Sequence, residues 1–317
     1  MCLVTSRATC GFAVKVEPLI NLSSPSATRP LGSVMGDYLA LTKPRLSGLV
    51  LFTAAPGMWL SGQTPDWKTA LFAILGTAGT VGAANAINCV LERDSDRFMV
   101  RTAKRPLPAQ RMDSKNALVF AIVLALISLP MLALGVNWLT FALGALALGS
   151  YAFVYTPLKS RTRWAMQVGA LPGALPPLMG WTAATGKIEL PGLALFAILF
   201  FWQLPHFIAI ALFRKSEYRA AGLTSLPLEK GDEVARLHAV GYVAVLLPVS
   251  LTPFFVGVAG WLYLAVAVIV GIAFLAVAVR GWRGNLGEAW ARQLFLTSLV
   301  YLTTLFAALG LDATRGS

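Results

Sequence analysis

A chain of 317 residues in which 57% are hydrophobic and only 13% charged has more apolar surface than a water-soluble fold of this size can hide, which excludes an ordinary soluble globular protein. The net charge of +12 sits between long apolar runs, a pattern of membrane topology and anionic ligands that argues against a nucleic-acid partner. Cys2, Cys10 and Cys89 form no CxxC pair and have no histidine at zinc-ligand spacing, which excludes a disulfide framework and a structural zinc site.

In chain order, residues 1–36 are rich in Ser, Thr, Pro and Gly and read as a flexible extension, with residues 37–317 as a single transmembrane domain. The extension sets Arg7, Lys15 and Arg29 against Glu17. Two addresses stay open: a bacterial inner membrane, favoured by the short extension, and a mitochondrial inner membrane.

Nine apolar stretches follow, at about 46–62, 70–91, 116–134, 138–156, 165–184, 192–212, 237–256, 261–279 and 293–310. Each is close to the roughly 20 residues a helix needs to cross the hydrocarbon core, so an all-α bundle of nine transmembrane helices is expected. Alternating sides along nine spans collects 23 of the 26 Lys and Arg on the side of the N-terminus and leaves Lys68, Lys187 and Arg315 on the other. Positive-inside reasoning then puts the N-terminus in the cytoplasm and the C-terminus in the periplasm. Two long polar loops on the basic side, about 93–115 and 213–236, lie four spans apart and suggest two related halves.

The second stretch ends in NAINCVLERDSDRFMVRTAKRPLP, where Asn88, Glu92 and Asp96 recur every four residues. On a helix this spacing stacks three oxygen-bearing side chains on one face. Such a column suits Mg2+, which takes one or two carboxylates and keeps other positions for phosphate oxygens and water. Arg97, Arg101, Lys104 and Arg105 follow at once and suit the remaining phosphate charge, so the run reads as a diphosphate site. A bland juxtamembrane charge cluster would not place Asn88 and Glu92 inside the end of an apolar span, where polar groups are costly.

Beyond this run, LTKPR spans Leu41 to Arg45, PGALPPLMGWTAATG spans Pro172 to Gly186, and FWQLPHFIAIALFRKSEY spans Phe201 to Tyr218. Together with N-x-x-x-E-x-x-x-D and RPLP they resemble the UbiA-type intramembrane prenyltransferases, and within them the protoheme IX farnesyltransferase (heme o synthase) family, from about residue 40 to the C-terminus. The resemblance implies a central cavity under cytoplasmic polar caps, with Mg2+ and farnesyl diphosphate held beneath them. It also implies transfer of the farnesyl group to a vinyl group of heme b, with water completing the hydroxyethylfarnesyl substituent of heme o. A heme a synthase and membrane lipid are then the further partners.

In the second cap, relatives that make quinones carry an aspartate-rich run where this chain has His206, Arg214, Lys215, Glu217 and Tyr218. Glu217 either completes the catalytic metal site or pairs with Arg214 or Lys215. His206 either ligates heme iron or meets phosphate, against the plain alternative of a hydrogen-bonded helix histidine. Lys43, Arg45, Lys159 and Arg161 reach the diphosphate or a heme propionate, or serve as topology signals. Trp181, Phe201 and Trp202 are candidates for the wall around an allylic cation. Two rival readings are a prenyltransferase acting on a quinone precursor and a transporter, the latter disfavoured because the polar groups gather at one face and not at the bilayer centre.

Overall fold

The computed structural model describes residues 30–284 and 286–313, so the extension up to residue 29 and the last four residues lie outside the described residues. A short helix α1 (Leu31–Leu41) leads into α2 (Pro44–Leu60) and α3 (Trp67–Leu91), followed by a single turn α4 (Arg93–Asp96) and α5 (Ser114–Gly135). Helix α6 (Trp138–Gly149) passes through a π-helical turn (Ser150–Tyr155) into α7 (Thr156–Leu158). Then come α8 (Ala165–Thr185), α9 (Leu190–Phe213), two short caps α10 (Lys215–Ala220) and α11 (Leu226–Lys230), and α12 (Asp232–Phe255), α13 (Trp261–Arg283) and α14 (Gly287–Leu311). Residues 31–36, expected to be part of the extension, are helical.

Each of the nine apolar stretches is a helix, but the expected nine membrane crossings are not confirmed. Among the described residues seven runs are long and apolar enough to cross a membrane: α3, α5, the α6–α7 run, α9, α12, α13 and α14. Helix α2 has only 17 residues, and α8 spends its length on Pro172, Pro176, Pro177 and small residues. The reason is position. Helix α8 packs on α2, α6 and α9, so protein covers most of its surface and lipid-facing apolarity is not required of it.

The crossing of α2 with α8 depends on two glycines. A Cβ at Gly57 would lie 2.0 Å from the Pro177 carbonyl oxygen, and one at Gly180 would lie 2.0 Å from that of Ala54. Bare backbones therefore touch in both directions, as small residues allow between membrane helices.

Two hydrophobic clusters build the halves. One joins α8, α9 and α12–α14, the other α1, α3, α5 and α6, and a third of Leu132, Leu143, Leu175, Leu178 and Met179 ties α5, α6 and α8 together. Of the four helices that start at the end away from the basic loops, three begin at an interfacial tryptophan: Asp66 caps α3 beside Trp67, Asn137 caps α6 beside Trp138, and Gly260 precedes Trp261, whereas α9 begins at Leu190. All three tryptophans are exposed, as an aromatic belt requires.

Candidate active site

Helix α3 stops at Leu91, yet the four-residue column survives the break. Glu92 N–H donates to the Asn88 carbonyl at 2.9 Å and Asp96 N–H to the Glu92 carbonyl at 2.8 Å, so α4 continues the same face. Asn88, Glu92 and Asp96 are all buried and line a polar cavity of about 570 Å³ at the basic end of the bundle. Lys43, Arg45, Arg101, Arg105, Lys159 and Tyr218 line the same cavity.

The column is held by cations from three directions. Lys43 Nζ donates to Asn88 Oδ1 at 2.6 Å, Lys159 Nζ to Glu92 Oε1 at 2.8 Å, and Arg105 Nη1 to Asp96 Oδ2 at 2.8 Å. Asn88 Nδ2 donates to Thr156 Oγ1, which fixes the amide so that its oxygen faces Lys43. Asp96 Oδ1 is buried without a hydrogen-bond partner. A buried carboxylate oxygen with free lone pairs in the wall of a polar cavity fits a divalent cation. Among the described residues no group of three or more His, Cys, Asp and Glu could hold a metal ion by itself, so such a cation would draw its remaining ligands from phosphate oxygens and water.

Burial lowers Lys43 from 10.5 to about 8, and the charges of Arg105 and Lys159 push the same way. Burial opposes the ionised form of Glu92, but the charge and hydrogen bond of Lys159, the charge of Lys43 and a hydrogen bond with Asn88 together outweigh it and hold the carboxyl below its ordinary value. Lys159 is also disfavoured by burial, yet Tyr155 and Glu92 raise it well above the usual lysine value. Burial raises Tyr218, so its phenol keeps its proton and remains a donor.

Lys159 follows the π-helical turn, at which Pro157 disturbs the helix. Pro157 lacks the N–H that would continue an α-helical ladder and crowds the carbonyl four residues back. The widened turn presents Tyr151 and Tyr155, with ring centroids 5.3 Å apart, to the interior next to Lys159.

Tyr151 and Leu46 also line a second, mainly apolar cavity of about 250 Å³, together with Tyr155, Trp202, Phe207 and His206. The His206 ring stacks on Trp202 and packs at a tilt against Phe295, at centroid distances of 4.8 and 4.7 Å. The Ser298 hydroxyl donates to the Phe295 carbonyl at 2.6 Å, so it accepts from His206 Nδ1 at 2.7 Å, and the imidazole lone pair is left on Nε2. Trp202 Nε1 donates to the Ser298 carbonyl at 2.6 Å, anchoring the same point of α14.

Of the residues expected at the diphosphate or its metal, Arg97, Lys104, Arg161, Arg214, Lys215 and Glu217 do not line the polar cavity, and Arg161 is exposed. Arg97 approaches Asp94 at 3.9 Å, Lys104 is exposed, Arg214 pairs with Glu217, and Lys215 donates to Asp232 at 2.6 Å. The neighbour three residues away satisfies Glu217, so only Tyr218 of that cap reaches the cavity. Of the candidate aromatics, Trp202 lines the apolar cavity, whereas Trp181 donates to Glu189 and Phe201 packs at its edge on Phe200. Sequence reasoning missed Tyr151, Tyr155 and Thr156. The recurrence of Tyr151, Tyr155 and Lys159 every four residues was the available signal.

The UbiA prenyltransferase family model matches residues 50–300. A protoheme IX farnesyltransferase of Myxococcus xanthus (strain DK1622) is 60% identical over 282 residues, covering 89% of this chain and 96% of the relative. One from Sorangium cellulosum (strain So ce56) is 48% identical over 281 residues, covering 84% and 100%. Among solved structures, a digeranylgeranylglyceryl phosphate synthase matches with a TM-score of 0.77 at 17% identity, covering 88% of this chain and 98% of that one. A UbiA homologue from Archaeoglobus fulgidus bound to GPP and Mg2+ matches with a TM-score of 0.65 at 20% identity, covering 86% and 99%. At such identities these structures speak for the fold alone. Matched by the family model over most of its length and by relatives of this identity over nearly all of theirs, the chain belongs to the UbiA prenyltransferase family, on its protoheme IX farnesyltransferase branch.

Proposed function

We propose that the chain transfers the farnesyl group of farnesyl diphosphate to a vinyl group of heme b, giving heme o and diphosphate. The observation that carries this reading is the join of two unlike cavities at Leu46 and Tyr151, one polar and cationic, one apolar and aromatic. A prenyl diphosphate has the same two-part character. The heme acceptor is supported by the names of the relatives at 60% and 48% identity.

In this reading the diphosphate lies against Lys43, Arg45, Arg101, Arg105 and Lys159. Glu92 and Asp96, with Asn88, would hold Mg2+, which when bound supplies positive charge at the departing oxygens. The C1–O bond breaks and its electron pair leaves on the diphosphate, where the lysines and arginines stabilise it. The vinyl π pair forms the new bond to C1, and water adds to the resulting cation and loses a proton to diphosphate or solvent. Tyr151, Tyr155, Trp202 and Phe207 keep other water away from the allylic cation. His206 offers Nε2 to the heme iron. The site opens to the cytoplasm of a bacterial inner membrane, and a heme a synthase consumes the product.

Purified protein incubated with heme b, farnesyl diphosphate and Mg2+ should yield the mass of heme o. Prenylation of a phenolic acceptor alone would assign the chain to a quinone pathway instead. Glu92→Gln and Asp96→Asn should each lower turnover about a hundredfold or more while leaving the bundle folded. Product formation retained in both would remove the metal-site assignment.

A further inference from the structure

On the far side of Lys159 and Tyr218 from the column lies a third cavity, of about 80 Å³, lined among others by Tyr155, Arg163, Phe207 and Ser225. It shares Lys159 and Tyr218 with the polar cavity and Tyr155 and Phe207 with the apolar one, so it sits at their junction. Its volume is a few times the roughly 30 Å³ of a water in the liquid. That suits a single carboxylate, whereas the 570 Å³ cavity next to it suits the diphosphate.

The lining is prepared for an acceptor atom. Ser225 is 8% exposed, and its hydroxyl is buried without a hydrogen-bond partner. Such a group is costly to leave unpaired, and a ligand oxygen would satisfy it. Arg163 Nη1 donates to Glu229 Oε2 at 2.9 Å, which pins one arm of the guanidinium fork and leaves its other donors for a second partner. Tyr218, half-buried and proton-bearing, stands beside them.

We propose that this cavity is the carboxylate subsite of the prenyl acceptor, in which Ser225, Tyr218 and the remaining donors of Arg163 hydrogen-bond a propionate of heme b. The inference rests on the heme reading above. It adds an orientation. The propionates and vinyls of heme b lie on opposite edges of the ring, so a carboxylate held on the side of α8 and α11 turns the vinyl edge inward, toward α2 and α3.

The test compares heme b with its dimethyl ester, in which both propionates are neutral, using the full chain in detergent with farnesyl diphosphate and Mg2+. Losing a hydrogen bond to a charged group raises the KM of the ester about tenfold over that of the acid in the wild type. Ser225→Ala and Arg163→Gln should shrink this ratio several-fold by raising the KM of the acid, with the KM of farnesyl diphosphate unmoved, and Ser225→Thr should restore it. Soret titration without farnesyl diphosphate should give the same preferences independently of turnover. An unchanged acid-to-ester ratio in both variants overturns the subsite while heme o formation stands. Absence of heme o from the wild type with either acceptor overturns the heme reading and the subsite with it.

Discussion

Lys43 has φ 51 and ψ 63, a left-handed conformation just before Pro44, and its side chain is the one that reaches Asn88. A non-glycine residue held there costs about 1–2 kcal/mol, strain that functional sites retain when the geometry requires it. Lys43→Gly should therefore unfold at a higher temperature in detergent than Lys43→Ala, by about 1 kcal/mol of stability, while both lose affinity for farnesyl diphosphate. Protonation adds a second consequence. Since Lys43 titrates near 8 in the fold and 10.5 outside it, the ammonium is lost as pH rises through about 8, and affinity for a non-reacting farnesyl diphosphate analogue should fall there. The empty protein responds with the opposite sign: between about pH 8 and 10.5 the unfolded chain binds the extra proton, so stability rises with pH across that window. Binding measured from pH 7 to 9 should show the fall in the wild type and not in Lys43→Arg, whose guanidinium stays charged throughout. Much of this site is legible in the sequence, because a four-residue recurrence of oxygens at the end of an apolar run is costly unless the column binds something. The handedness of Lys43 is not, and neither is the bond from His206 to Ser298 across 92 residues, because both depend on how separate helices meet.

At the scale of elements, the apolar runs give the long helices to within about six residues, α12 and α14 starting earliest relative to their runs, since lipid imposes length and composition together. Length and apolarity alone pass over α2, which is short, and α8, which is rich in proline and small residues and mostly covered by protein. Gly57 and Gly180 let the two backbones touch, so Gly57→Ala and Gly180→Ala should each lower the unfolding temperature in detergent, at a cost of about 1–3 kcal/mol from overpacking. A Cβ at Gly241 in α12 would meet nothing within 4 Å, and Gly241→Ala should be neutral or stabilising by up to about 1 kcal/mol. A fall as large at Gly241 as at Gly57 would mean that the close contact of α2 with α8 is not what sets the cost at Gly57, since propensity alone favours alanine at both positions. The π-helical turn was hidden for a different reason. Pro157 marks a disturbance in the run, but a kink and a widened turn both satisfy a proline, and only the packing of Tyr151 and Tyr155 against the cavities distinguishes them.

For the whole molecule, charge and aromatic residues describe the same axis from opposite ends. The polar cavity, with Lys43, Arg101, Arg105 and Lys159, lies at one end, and Trp67, Trp138 and Trp261 open helices at the other. Gly260 N–H donates to the Asp312 carbonyl and Tyr263 N–H to Asp312 Oδ2, so the α12–α13 loop and the end of α14 share that far end. Positive-inside bias then predicts a cytoplasmic site and a periplasmic tryptophan end. Lys104 and Lys187 are exposed reporters for the two ends. In a chain carrying Cys2→Ser, Cys10→Ser and Cys89→Ala, Lys187→Cys should react with a membrane-impermeant maleimide in intact cells, and Lys104→Cys only after the membrane is opened. The reverse pattern would place the diphosphate site on the outer side, away from a cytoplasmic supply of prenyl diphosphate, and would show that 23 cations on one side had failed to set the orientation.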